Sequence, residues 1–144
     1  MALTLAEANR AIDAALAKAR DLQAKISVTV CDSGGHLMAH QRMDGVLTEA
    51  PFGSIGKAIG AATWGRPDQG ASLSGLARLF YTDIVIGEAA PVIGGPGGLP
   101  IIRSGELEGA IGVSGALDDE QNEKCARAGI DVLEMGASSM SRRS

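Results

Sequence analysis

The residues best suited to chemistry lie in the first half of the chain, around two segments that alternate polar and apolar side chains. Asp32 ends the first segment, Arg42 and Asp44 end the second, and Lys57 follows among glycines. A guanidinium can hold a carboxylate through two parallel hydrogen bonds. A buried lysine amine has a lowered pKa and can act as a base or a Schiff-base amine. These residue types predict a site for a small organic acid.

Two further features are expected beside that acid. Glu49 stands in the first turn of a predicted helix, and the glycine-rich run 94–98 leaves backbone N–H groups uncovered for an anion. The predicted catalytic residues, all able to transfer protons, are Lys57, Asp32, Asp44 and Glu49. The predicted ligand-binding residues are Arg42, His40, Gly97, Gly98 and Tyr81.

Each candidate also has an ordinary structural interpretation. Asp32 could hydrogen-bond the backbone of a tight turn. Arg42 and Asp44 could close a hairpin as an ion pair, and Lys57 could extend its ammonium to solvent. His40 could be a partly exposed strand residue, and Tyr81, whose phenol oxygen could also bind haem iron, could simply pack at the domain edge. The sequence leaves these alternatives open.

No metal site is predicted. His36 and His40 are four residues apart on one predicted strand, about 13 Å, which is too far for one metal ion. Cys31 and Cys125 form no metal-type pair. Because the Asp32 carboxylate raises the pKa of a neighbouring thiol, Cys31 is a poor nucleophile, and we expect two buried, reduced cysteines.

Length and composition exclude several classes of protein. The 144 residues fit one domain, and the 45% hydrophobic content supports one aliphatic core with 3% aromatic residues. A net charge of −4 and scarce aromatic residues argue against nucleic-acid binding. No apolar run is long enough for a membrane span, and no signal peptide is visible at the first residues. We therefore predict a cytoplasmic protein without nucleic-acid or membrane partners.

The spacing of apolar residues predicts the elements that hold the candidate side chains. A capping box at Thr4 and Glu7 begins a helix that ends near residue 23. Two strands follow as a hairpin, then a glycine-containing helix to about Trp64, a short helix, three strands and a last helix. The order α-ββ-αα-βββ-α predicts an α+β antiparallel sandwich with five strands. We expect a single domain over 1–135 and a disordered tail over 136–144.

Five short motifs, in the same order, resemble the GlcG/HbpS family, also called haem-degrading-domain proteins; related domains occur fused to a corrinoid adenosyltransferase (PduO C-terminal-domain-like). The motifs, which span most of the chain, are Val30-Cys31-Asp32-Ser33-Gly34-Gly35-His36-Leu37, Arg42-Met43-Asp44-Gly45, Lys57-Ala58, Gly97-Gly98-Leu99-Pro100-Ile101 and Gly109-Ala110-Ile111-Gly112-Val113-Ser114-Gly115. Val46 departs from the family's usual alanine. The resemblance implies a profilin-like fold with a five-stranded antiparallel sheet and a homo-oligomer, often an octamer.

For function, the resemblance implies that an oligomer pocket holds haem or another planar anionic ligand, with Arg42 and Lys57 as partners of its carboxylates. The region in which haem-binding relatives place an axial ligand offers no histidine here, and residues 78–95 depart from the family pattern, so haem is a candidate and no cofactor is assigned. The alternative is a cofactor-independent isomerase, lyase or hydrolase acting on a small organic acid. A third hypothesis is a structural or partner-binding subunit.

Overall fold

The structure, a computed structural model, describes residues 2–64 and 96–143, with side chains for 2–63 and 96–134. These residues form three helices and four strands. In chain order they are α1 (Leu5–Asp21), β1 (Ser27–Asp32), β2 (Leu37–Arg42), α2 (Ala50–Trp64), β3 (Gly98–Arg103), β4 (Glu106–Ser114) and α3 (Asp119–Arg143).

The four strands form one antiparallel sheet in the order β2-β1-β4-β3. This confirms the predicted α+β class and the two predicted hairpins. The sequence predicted five strands, and the described residues contain four. The fifth, expected near residues 91–93, lies outside the described ranges, as does the short helix predicted before it. The profilin-like assignment stays a prediction.

Alternation along the strands gives the sheet two different faces. Val28, Val30, Ile111 and Val113 pack against α1 and α3 in the main aliphatic core. The opposite face meets α2 and carries small or polar residues instead. Its apolar part is a minor cluster formed by Cys31, Ala58, Ala62 and Ala110. Three buried polar side chains, those of Ser27, Thr29 and Ser54, meet between the sheet and α2, and buried Lys57 reaches from α2 to β4.

Helix α2 lies close against the sheet because a glycine stands under it. A Cβ on Gly112 of β4 would lie 2.1 Å from the backbone oxygen of Ser54 and 2.5 Å from the backbone nitrogen of Ala58. This contact gives a physical reason for a glycine inside a strand, where it otherwise weakens packing. It also accounts for the small residues along α2.

The last helix is longer than the sequence indicates. The predicted domain ended at residue 135, whereas α3 extends to Arg143. The disorder expected over 136–144 stays a prediction. Within the described ranges, no helix combines the length and apolar character needed to cross a membrane.

An ion network joins the start of α1 to the β3–β4 hairpin. Thr4 and Glu7 form the predicted capping box, and the Glu7 carboxylate also accepts hydrogen bonds from the Arg103 guanidinium, which contacts Glu108 as well. These interactions, led by the hydrogen bond from Arg103, lower the pKa of Glu7 from 4.5 to about 2. Arg103 and Glu7 are each four-fifths buried in this network.

The Glu7→Gln variant is expected to be less stable than the parent at pH 7 by about 2 kcal/mol. Glutamine keeps the capping interaction, so the loss reports on the charge. Because the folded state has the lower pKa, this stabilisation is complete above pH 4.5 and is lost as the pH falls toward about 2. Urea unfolding at several pH values should show that the difference in unfolding free energy between variant and parent becomes smaller as the pH falls over that range. A Glu120→Gln control, at an exposed carboxylate, should lose less than about 0.5 kcal/mol.

Candidate functional site

The face of the sheet under α2 brings several candidate residues into rows that cross the strands. Thr29 pairs with both His40 and Gly112, and Gly112 pairs with Gly98. One step nearer the sheet's end, Ser27 pairs with both Arg42 and Ser114. Since side chains two apart on a strand share a face, His40 and Arg42 lie on the α2 side, as their spacing predicted.

Lys57 reaches from α2 to the end of β4 and is 9% exposed. Its Nζ donates a hydrogen bond to the backbone oxygen of Val113 at 3.1 Å. Burial lowers the pKa of Lys57, and the nearby carboxylates of Asp119 and Glu123 partly oppose that shift. No carboxylate lies within ion-pair distance of this ammonium among the described side chains. Lys57 is therefore a buried cation with one hydrogen-bond acceptor in the part of the chain that the structure describes.

The glycines next to Lys57 make room for packing. A Cβ on Gly98 would lie 2.7 Å from the backbone oxygen of Lys57, and one on Gly97 would lie 2.4 Å from the backbone oxygen of Val113. Gly97 has a φ of +103°, and its N–H donates to Glu123 Oε2 at 2.7 Å. We call Lys57, Asp119, Glu123 and the backbone of Gly97 and Val113 the lysine cluster.

Sequence reasoning missed the acidic members of the lysine cluster. Asp119 and Glu123 were not among the predicted site residues, because acidic residues near the start of a helix are explained by the helix dipole. Asp118 indeed caps this helix, since its Oδ1 accepts from the Glu120 N–H at 2.9 Å. The sequence could have indicated this cluster, because the strand that ends at Ser114-Gly115 is followed two residues later by the acid-rich start of a helix.

A second cluster surrounds His40 on the other side of Gly112. His40 Nδ1 lies 2.7 Å from Thr29 Oγ1, and Nε2 lies 3.3 Å from Ser27 Oγ. Ser54 of α2 closes the circle, with its Oγ 2.9 Å from Thr29 Oγ1 and 3.1 Å from Ser27 Oγ. We call Ser27, Thr29 and Ser54 with the His40 imidazole the hydroxyl ring.

The three hydroxyl residues were not among the predicted site residues. They are 0–1% exposed, whereas His40 is partly exposed. Burial, and next the charge of Arg42, lower the pKa of His40, so the imidazole stays neutral near pH 7. The sequence could have indicated these residues. In β1, Val28 and Val30 supply the face toward the core, so Ser27 and Thr29 had to lie on the opposite, polar face.

Three charged candidates gather at the end of the sheet where α2 begins. Arg42 ends β2, and Asp44 and Glu49 lie in the connection to α2; all three are exposed. Among the ion pairs that the described side chains make, none joins Arg42 to Asp44, so the hairpin-closing ion pair considered above does not form.

Asp32 lies at the opposite end of the sheet. Its Oδ1 accepts from the backbone N–H groups of Gly34 and His36, both at 2.9 Å, and these bonds, with the His36 bond the largest contribution, lower its pKa. Five strand steps, roughly 17 Å, separate it from the row of Arg42. The turn-forming interpretation of Asp32 therefore accounts for its contacts. Tyr81 lies outside the described residues.

The cysteines and acidic residues form no metal centre in the described part of the chain. Cys31 and Cys125 are buried and unpaired with each other. Burial raises the pKa of each thiol to about 11, and for Cys31 the Asp32 charge adds to that shift. Residues 2–63 and 96–134 contain no group of three His, Cys, Asp or Glu residues placed to hold a metal ion.

Together the fold and the two clusters define a class: an α+β protein whose sheet carries buried polar groups under one helix. The model of the family described as "Haem degrading protein HbpS-like" matches residues 3–131. The chain therefore belongs to the HbpS-like family, which the sequence motifs indicated as GlcG/HbpS.

Individual relatives agree with that assignment. An uncharacterised 15.0 kDa protein from the dhaT-dhaS intergenic region of Citrobacter freundii is 34% identical over 139 residues, covering 91% of this chain and 92% of that protein. The crystal structure of a double mutant of HbpS from Streptomyces reticuli superposes with a TM-score of 0.76 and 30% sequence identity. The match covers 92% of this chain and 88% of the HbpS chain. The PduOC:heme complex is 25% identical over 91% of this chain and 94% of that chain, also with a TM-score of 0.76.

Proposed function

We propose that this protein binds a small organic anion on the α2 side of its sheet, and that haem, a planar molecule with two carboxylates, is the first ligand to test. The family is described by haem degradation, and a structural relative was solved with haem. Both facts concern relatives. The support from this chain is the state of Lys57.

Lys57 carries the proposal because its charge is poorly satisfied. Burying an ammonium costs several kcal/mol unless attraction and hydrogen bonds offset the lost hydration. The ammonium has three N–H donors and, within residues 2–63 and 96–134, makes one hydrogen bond, to the Val113 carbonyl. Asp119 and Glu123 attract it without forming an ion pair. A ligand carboxylate supplies the missing acceptors.

The neighbouring surface suits an amphiphilic ligand. Arg42 lies on the same side of the sheet as Lys57, about 10 Å from Ser114 across two strand spacings, so two cations can meet two carboxylates. The apolar side chains of Leu47, Phe52 and Leu117 are 55%, 67% and 97% exposed at this end of the sheet. Such exposed apolar groups beside cations fit a flat ring with acidic substituents.

The described residues fit the carboxylates of haem better than its iron. Both ring nitrogens of His40 already contact hydroxyl groups. His36 lies in the β1–β2 turn with its Nδ1 against Asp32, at the far end of the sheet from Arg42. We therefore assign Lys57 and Arg42 to the carboxylates and assign no axial ligand. When bound, haem would supply its own redox chemistry.

For the assembly and the location of the protein we retain the expectations from the sequence. We propose a homo-oligomer, with eight subunits expected, working in the cytoplasm. The proton-transfer roles predicted for Lys57, Asp32, Asp44 and Glu49 stay predictions.

Titrating the purified apo-protein with haem is expected to give a saturable shift of the Soret band at micromolar haem. Metal-free protoporphyrin IX should bind comparably, because the proposal depends on its two carboxylates and not on iron. The dimethyl ester of protoporphyrin, which lacks those charges, should bind at least tenfold more weakly. Absence of saturable binding by both free acids, or equal binding of the ester, would remove the proposal. Light scattering on the same samples gives the subunit number.

A further inference from the structure

We propose that Glu123 is a built-in competitor of the bound anion: its carboxylate occupies the backbone N–H of Gly97, which a ligand carboxylate takes over when it binds beside Lys57. This inference rests on the proposed function and deepens it, because it adds a donor to the anion site and names the class of ligand that the site accepts. That class is molecules with two or more acidic groups, since a single free carboxylate competes poorly with Glu123.

A carboxylate of the chain itself lies on the Gly97 N–H. Glu123 Oε2 accepts this hydrogen bond at 2.7 Å, a length typical of bonds to a charged acceptor. Because a hydrogen bond is strong only near the line of its N–H, another acceptor reaches this donor after Glu123 has left. Gly97 is buried, whereas the Glu123 side chain is 37% exposed. The buried donor is thus held by a group that solvent and ligands can reach.

The Gly97 N–H and the Lys57 ammonium are neighbours around one backbone oxygen. The Val113 oxygen accepts from Lys57 Nζ at 3.1 Å, and it lies 2.4 Å from the position of a Cβ on Gly97. With ordinary covalent geometry, the two nitrogens are therefore at most about 8 Å apart. One anion can contact both donors once Glu123 has left.

Arg127 offers the displaced carboxylate a second partner. Its Nη2 lies 3.9 Å from Glu123 Oε1, about one helical turn further along α3, and its side chain is exposed. Side chains four residues apart on a helix form weak ion pairs. A Glu123 side chain that turns from Gly97 toward Arg127 keeps a cation beside it. What it gives up is the bond to the Gly97 N–H, and the ligand replaces that bond.

Attachment to the same fold gives Glu123 an advantage over a free carboxylate. An attached group competes at an effective concentration on the order of millimolar or higher. A monocarboxylate such as propionate gains no second contact and is excluded at lower concentrations. A ligand with a second acidic group can also meet Arg42, which lies on the same side of the sheet, and that contact offsets the competition. Glu123 therefore makes the site selective for polyacids.

The first arm of the test uses propionate and needs no porphyrin. NMR follows the Gly97 amide in the parent and in Glu123→Ala as propionate is added to about 20 mM. We expect a saturable shift in Glu123→Ala and, in the parent, an affinity at least tenfold weaker. Glu123→Gln, which keeps the side-chain shape without the charge, should also bind more tightly than the parent, and circular dichroism checks both folds. Equal responses in parent and variants, or none in the variants, overturn the inference.

The second arm separates occupation of the donor from simple charge repulsion, and it compares protoporphyrin IX binding by Glu123→Ala and Asp119→Asn. Both variants lose a negative charge near Lys57, and Asp119 contributes more to its pKa, but the hydrogen bond to Gly97 belongs to Glu123. Charge alone predicts the larger gain in Asp119→Asn. We expect roughly tenfold tighter binding in Glu123→Ala and less than about threefold in Asp119→Asn.

The outcomes of the second arm keep the two proposals apart. A gain in Asp119→Asn as large as that in Glu123→Ala contradicts the role of Glu123 as competitor. If the parent and both variants bind no porphyrin, the proposed function is wrong, and the propionate titration still decides whether Glu123 occupies an anion donor.

Discussion

Replacing Gly112 by alanine is expected to destabilise the protein by about 3 kcal/mol and to lower its melting temperature by roughly 10 °C. The added Cβ would meet the backbone of α2 at Ser54 and Ala58, at 2.1 and 2.5 Å. Backbone in a packed helix has no rotamer through which to yield, so α2 must move as a unit. Thermal unfolding followed by circular dichroism measures the effect.

The matched control for this prediction is Gly34→Ala. The atoms nearest to a Cβ on Gly34 belong to the side chain of His36, at 2.9 Å, and that side chain is 82% exposed and can rotate away. We expect a melting temperature within about 3 °C of the parent. If Gly112→Ala were as stable as this control, the close seating of α2 on β4 would be wrong.

Changing Lys57 to methionine is expected to have opposite effects on binding and on stability. Methionine has similar length and fills the same space without the charge. Removing a buried, weakly paired ammonium should stabilise the fold by about 1–2 kcal/mol. Losing the cation should weaken protoporphyrin binding by roughly tenfold to a hundredfold, the worth of one charge-assisted hydrogen bond. Melting curves and fluorescence titrations on the same preparations measure both.

Lys124→Met is the control for that experiment, because Lys124 is half exposed on α3 and lies 3.6 Å from Glu120. Neither its stability nor its porphyrin affinity should change by more than about 0.5 kcal/mol. A Lys57→Met protein that binds porphyrin as tightly as the parent would show that the lysine cluster is not the anion site. A marked loss of stability would instead assign Lys57 a structural role.

Local patterns were sufficient for most of the described fold. The capping box at Thr4 and Glu7 and the alternation in β1 each depend on interactions within a few residues, and each is present in the structure. Such features are readable because the physical cause and the residue lie in the same short segment.

The composition of the site was harder to predict because its contacts are distant in sequence. Glu123 and Gly97 meet across 26 residues, and Lys57 reaches Val113 across 56. Asp32 shows a different failure. The C-terminal ends of two consecutive antiparallel strands lie at opposite ends of the hairpin. The hairpin itself therefore separates Asp32, at the end of β1, from Arg42, at the end of β2. That conclusion was available from the predicted topology before any coordinates.

Helix α2 contributes one residue to each cluster, Ser54 to the hydroxyl ring and Lys57 to the lysine cluster, three positions and less than one turn apart. A small slide of this helix along its axis therefore shortens or stretches contacts in both places at once. An anion that displaces Lys57 near the end of β4 is therefore expected to change the hydrogen bonds of Ser54 as well.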